Sequence, residues 1–172
     1  PAALGRLINL QQLSLHENSL TGFIPAELGQ CKNLTSIDLS NNALTGTIPS
    51  NFAALDKLER FIVQANNLQN SIGAAGVAAL NFIDPLVQRK LKFLDIAHNN
   101  FEGTVPKELF DLPSLEELHA GSNCFSGTLP SNICSATNLK TLDLASLSSG
   151  SGCRRYIWAG TAFEGAFKAF VS

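Results

Sequence analysis

From Leu10 onward the chain repeats itself. The unit LxxLxLxxNxLxGxIPxxLxxLxx begins at Leu10, Leu34, Leu58, Leu91, Leu115 and Leu139, spaced by 24 residues except for one longer copy. A unit this short cannot bury its own leucines, so copies must stack and bury them between neighbours. Self-similarity at such a period is the mark of a solenoid. The first part of each copy (LQQLSL, LTSIDL, LERFIV, LKFLDI, LEELHA, LKTLDL) alternates apolar and polar, the two-residue spacing of a strand. Stacked in register, these strands form a parallel ladder about 4.8 Å apart, with frame positions 1, 4, 6, 11, 15 and 19 pointing inward.

Two further columns shape the coil. Asn18, Asn42, Asn66, Asn99 and Asn123 fall where the chain leaves the strand, where a buried amide satisfies turn backbone groups that have no ladder partner. These asparagines are read as structural. The second half reads LTGFIP, LTGTIP, FEGTVP and FSGTLP. Gly22, Gly46, Gly103 and Gly127 permit a tight bend, while Pro25, Pro49, Pro106 and Pro130 start the back of the coil.

The LxGxIP segment, over about residues 1 to 146, resembles the plant-type extracellular leucine-rich repeat of receptor-like kinases, receptor-like proteins and polygalacturonase-inhibiting proteins. The resemblance implies an α/β right-handed solenoid with a concave parallel sheet and an irregular or short-helical convex side. It also implies a second small sheet from the LxGxIP parts and a superhelical twist.

The chain has 172 residues and a formal charge of −2, so it lacks the basic excess that nucleic acid or an anionic membrane attracts. No apolar run reaches the roughly 20 residues of a membrane helix, and no signal segment opens the chain. It has no Met and starts at Pro1, in mid-repeat, with residues 1–9 as a half repeat. We read it as a piece of a longer protein with repeats upstream, any membrane attachment lying in absent segments.

The frame departs in two places. The copy from Leu58 to Lys90 is 33 residues long, with Asn70 and Gly73 where the family has Gly and Pro. Ala75, Ala79, Phe82 and Ile83 recur near helical spacing, which predicts a helix on the back of the coil up to Pro85. From Leu147 the frame fails, and Phe163, Phe167 and Phe170 mark one apolar helical face. Residues 147–172 are read as a lid on the last coil or an interruption of the array. Arg154, Arg155, Tyr156 and Trp158 lie within them.

Cys31 faces the core as a small hydrophobe. It lies about four coils, roughly 19 Å, from the others, too far to pair with them. The expected disulfide is Cys134 with Cys153, and the second choice Cys124 with Cys153. Asn33-Leu34-Thr35 is an N-glycosylation sequon, with Asn33 as the acceptor.

Binding in such solenoids falls on the concave face, whose outward columns come from frame positions 3, 5, 7 and 8. Arg60, Ile62 and Phe93 form an apolar and cationic cluster with no folding reason to stand there, and serve as candidate anchors. Asp95, His98, Glu117 and His119 are candidate polar readers. Register places His119 between Asp95 and Asp143, and these carboxylates favour a protonated imidazole and a response to mild acid. No nucleophile, glycine loop or orienting group converges there, so no enzyme activity, metal or cofactor is expected.

The resemblance implies an extracellular or cell-surface module that binds a protein or peptide ligand, or a co-receptor, within a receptor ectodomain. Its alternative is a soluble secreted hydrolase inhibitor.

Overall fold

The computed structural model describes residues 1–72 and 78–146. The alternating stretches form one six-stranded parallel sheet: Gln12–Ser14, Ser36–Asp38, Arg60–Ile62, Phe93–Asp95, Glu117–His119 and Thr141–Asp143. The register joins like frame positions, Leu13 to Ile37, Ile37 to Phe61, Phe61 to Leu94, Leu94 to Leu118, and Leu118 to Leu142. That register is imposed by burial, because a slip of one residue would turn every leucine to solvent. Leu34, Ile37, Leu39, Leu44, Ile48, Phe52 and Leu55 of a single coil are all buried.

The LxGxIP parts pair as a second parallel set. Thr21–Phe23, Ala43–Thr47 and Asn67–Gln69 make three strands, and Glu102–Gly103 with Cys124–Phe125 makes two. Each Pro then opens a five-residue 3-10 turn on the back, at Ala26–Gln30, Ser50–Ala54, Lys107–Asp111 and Ser131–Ser135. Proline suits this position because its φ is preset and the missing N–H has no partner to lose. Gly46, at φ +77°, takes a backbone region closed to most L residues, and the Phe23 ring packs against the space a Cβ would fill. Among the described residues no helix is long and apolar enough to cross a membrane.

Asparagine couples the coils. Asn99 donates through Nδ2 to Ile96 O and Ala97 O of its own turn and to Val63 O of the preceding coil. Its Oδ1 accepts the N–H of Leu68, also in the preceding coil. Asn66 and Asn42 repeat the pattern, as does Asn123 toward Ile96 O and Phe101 N. The residue before each asparagine is left-handed, with φ 52–54° at Glu17, Asn41, Ala65, His98 and Ser122. That conformation costs about 1–2 kcal/mol for a residue with a Cβ, so the amide bonds must hold it in place.

The long copy is not built as expected. Ser71–Ile72 and Ala78–Ala79 form an antiparallel pair where a helix was expected. The Ala-rich spacing misleads because Gly73 and Gly76 each cost about 1 kcal/mol inside a helix, and Ile72 favours a strand. The return strand still delivers Leu80, Phe82 and Ile83 to the core, and Phe82 meets Phe61 edge-on at 5.6 Å. Asn70 repairs the interrupted ladder, since its side-chain amide donates to Glu102 O and accepts from Glu102 N. Gln88, 1% exposed, closes the insertion by donating to Phe52 O and Phe82 O and accepting from Asp84 N.

Asn99→Ala would remove four hydrogen bonds and leave the buried Leu68 N–H without an acceptor, while Val63 O, Ile96 O and Ala97 O keep Asn66, Asn123 and Ala65 as donors. A loss of about 2 kcal/mol or more is therefore expected in urea unfolding. The exposed Asn18, with bonds only to Leu15 O and His16 O, is the control and should cost under about 1 kcal/mol as Asn18→Ala. Equal losses would show that the buried amide is not what couples the coils.

Candidate functional site

The concave face is built by two outward columns. One reads Gln12, Ser36, Arg60, Phe93, Glu117, Thr141, and the other Ser14, Asp38, Ile62, Asp95, His119, Asp143, each joined in register across the strands. The expected readers and anchors therefore share one surface, with one qualification. His98 is exposed at the left-handed exit turn beyond the strand.

Phe93 is more enclosed than an outward strand residue need be. It is half-buried, with the Arg60 guanidinium 4.1 Å from its centroid on one side and the His119 ring 5.5 Å away on the other. The three side chains come from three adjacent coils and form a cation–aromatic–imidazole row. His119 continues into carboxylates, with Nε2 at 3.6 Å from Glu117 Oε2 and Nδ1 at 3.9 Å from Asp143 Oδ2. Ile62 is half-buried beside Asp95.

The aspartates of the second column have a structural duty that the sequence reading missed. Asp38, Asp95 and Asp143 each accept through Oδ1 the N–H of the residue two positions on: Ser40, Ala97 and Ala145. The spacing D-x-S/A at strand exits carried the signal, since a short carboxylate there caps its own turn. Asp38 also accepts from the Ser40 hydroxyl at 2.6 Å and faces His16 Nδ1 at 3.5 Å, while His16 Nδ1 lies 2.8 Å from Ser14 Oγ. Partial burial raises the Asp95 carboxyl above the ordinary aspartate range, and the Ala97 N–H, His119 and His98 only partly offset it.

The frame position just before this face carries alternating charge, with Lys92 Nζ at 3.3 Å from Glu59 and Lys140 Nζ at 2.6 Å from Glu116. The hydrogen bond from Lys140 lowers the Glu116 carboxyl and raises Lys140 itself. Asn33 Nδ2 donates to Ile8 O and its Oδ1 accepts from Lys57, so the sequon amide also stitches two coils. Ser114 and Asn138 do the same at that frame position, bonding to Arg89 O and Pro113 O.

The cysteine expectation needs correction. Cys134 is free and exposed, whereas Cys124 is disulfide-bonded, so Cys134 with Cys153 is not the pair. Position 134 lies on a back turn, while position 124 lies in the second sheet. Cys153 lies outside the described residues, as do the residue 147–172 lid, its aromatic face and the Arg154 to Trp158 cluster. Cys31 is buried, as expected, and burial raises its thiol.

Leucine-rich repeat models match residues 1–44, 90–112 and 114–136. The chain belongs to the leucine-rich repeat family. Its repeats are of the type found in plant receptor-like proteins and receptor kinases. It is 36% identical over 98 residues to Receptor-like protein 39 of Arabidopsis thaliana, covering 55% of this chain and 10% of that one. Over 77 residues it is 32% identical to the LRR receptor-like serine/threonine-protein kinase EFR of the same plant, covering 44% and 8%. The chain thus spans about a tenth of the length of these relatives.

Among solved structures it is similar to the Arabidopsis receptor kinase HAESA, in complex with the peptide hormone IDA and the co-receptor SERK1. The TM-score is 0.74 at 33% identity, covering 85% of this chain and 23% of that one. It is also similar to the ectodomain of the receptor kinase SOBIR1 from Arabidopsis thaliana, with TM-score 0.66, 27% identity, and coverage of 80% and 70%.

The raised Asp95 carboxyl sets a pH test. The folded state binds its proton more tightly than the unfolded chain, so stability falls as pH rises from about 3.9 through the folded value. Asp95→Asn keeps the acceptor for Ala97 and removes that cost. It is expected to be at least as stable as the parent at pH 7, with the gap closing below about pH 4, read from urea midpoints. A variant less stable at pH 7 would contradict this.

Proposed function

We propose that this solenoid is an extracellular recognition module, a segment of a receptor-like kinase or receptor-like protein ectodomain. It binds a peptide or protein ligand on its concave face at the cell surface and contributes no catalysis of its own. A co-receptor is a second partner. One observation carries this reading: the Arg60, Phe93 and His119 row lies on a sheet face that has no need of it for folding. The core is already complete beneath it, with Phe61, Leu94 and Leu118 essentially inaccessible. Arg and aromatic side chains held rigid by their neighbours are what binding hot spots are made of, because little entropy remains to be lost.

The relatives add direction. HAESA is solved with a peptide hormone and a co-receptor, and PEPR1 with AtPEP1. Transfer of that mode to this chain rests on the shared fold and on the row above. Asn33 is the proposed glycan acceptor of this module, because one Nδ2 hydrogen is free to be replaced while the other bonds Ile8 O.

The test is selection of peptides from a displayed random library on the immobilised chain, followed by affinity measurement of the winners. Phe93→Ala and Arg60→Ala are each expected to weaken binding at least about tenfold, roughly 1.4 kcal/mol. Leu86→Ala, on a back-side residue 84% exposed, should leave it unchanged. Winners insensitive to Phe93→Ala and Arg60→Ala would place recognition elsewhere.

A further inference from the structure

The charge of the chain is unevenly divided. The outward columns and exit turns of the concave face hold five carboxylates, Glu17, Asp38, Asp95, Glu117 and Asp143, against the single cation Arg60. That is −4 on one face of a chain whose total is −2, so everything else together is positive. A face of one sign focuses its field and selects ligands of the other. The exit-turn caps use one oxygen each of Asp38, Asp95 and Asp143, and Ser14 and Ile62 fill the same column without a charge.

The carboxylates are also spaced. Along the second column the order from Asp38 is Asp, Ile, Asp, His, Asp on consecutive strands, so carboxylates recur on every second strand. At about 4.8 Å per strand that repeat is near 10 Å. A polyproline II chain rises about 3.1 Å per residue with three residues per turn, so every third side chain returns to the same face after about 9 Å. Each aspartate is held by its Oδ1 bond to the exit turn, and among the described residues Oδ2 of Asp38 and Asp143 faces an imidazole, at 3.5 and 3.9 Å.

Resting on the concave-face reading above, we propose that the partner is a basic peptide segment, laid across the strands in polyproline II conformation with Lys or Arg at every third residue. Its cationic side chains meet Asp38, Asp95 and Asp143, and the residues between them lie over Ile62 and the Phe93 row. The partly desolvated state of Asp95 agrees, because an incoming cation repays a burial cost already incurred.

The same face carries all three histidines of the chain. His16 faces Ser14 and Asp38, beside Glu17. His98 acts on Asp95. His119 faces Glu117, Asp143 and Asp95, with Arg60 beyond Phe93. Each imidazolium placed here cancels one charge of the negative excess, so capture of a basic segment weakens toward acid.

The experiment uses fluorescence anisotropy with the whole chain and three labelled ten-residue peptides of equal apolar content. One carries Lys at every third position, one has the same lysines contiguous, and one carries Glu at every third position. The spaced Lys peptide is expected to bind at least tenfold tighter than the contiguous one, and the Glu peptide not to bind. Asp95→Asn and Asp143→Asn, which keep the exit-turn acceptors, should each weaken the spaced Lys peptide about fivefold or more, and lowering the pH from 7.5 to 5 should weaken it further. Equal binding of spaced and contiguous lysines, tighter binding of the Glu peptide, or no binding of any peptide overturns the inference. Binding of the Glu peptide that is lost in Phe93→Ala would overturn the charge rule while leaving concave-face recognition standing. Indifference of every bound peptide to Phe93→Ala and to both aspartate variants would remove both.

Discussion

The stacking of this solenoid depends on a column of side-chain amides, buried at Asn66, Asn99 and Asn123 and half-buried at Asn42. The chain must leave each concave strand through a left-handed residue, and although that turn bonds to the next coil through its backbone, as His98 N does to Gly121 O, groups such as Val63 O and Leu68 N depend on a side-chain amide. Asn42, Asn66, Asn99 and Asn123 supply the partners, and each takes at least one from the preceding coil. Neutral hydrogen bonds contribute about 1 kcal/mol each when made and cost more when left unmade in a dry interior. A column of such amides therefore converts separate coils into a continuous body. The apolar ladder sets the register of the strands, while the amide column bonds each coil to the one before it.

Rigidity of the scaffold is what gives the concave face its chemistry. Side chains from different coils meet because like frame positions are brought about one strand spacing apart. Arg60, Phe93 and His119 are separated by 33 and 26 residues in sequence, yet they stack in one row. The aspartates beside them are tied to exit-turn N–H groups, so they need little reorganisation to receive a charge. Their duty is double: each caps its turn with one oxygen and presents a negative column to whatever lies across the sheet.

Most of the architecture was legible because a solenoid is nearly one-dimensional. Once the period is known, the neighbour of each residue is the same frame position in the next coil, so the strands, the register, the buried columns and the His119–Asp143 proximity follow. Legibility ended where the frame did. The insertion after Asn70 looked helical by spacing, but Gly73 and Gly76 weaken a helix and the Asn70 amide takes over a broken ladder. Gln88, buried beneath that insertion, had no repeat partner to reveal it. Alternation gives the outward direction of Phe93 but not the neighbouring side chains that close over its ring. The cysteine pairing failed for a related reason, since spacing alone does not say which side of the coil each thiol faces.

Native-state hydrogen exchange in Asn99→Ala tests the coupling most directly. The Leu68 N–H loses its Asn99 acceptor outright, and the Leu44 and Phe101 N–H groups keep theirs on Asn66 and Asn123. If each coil is held by its neighbours, protection falls at Leu68 and also at Leu44 and Phe101, one coil to either side. Loss confined to Leu68, with the adjacent coils exchanging as in the parent, would contradict the account.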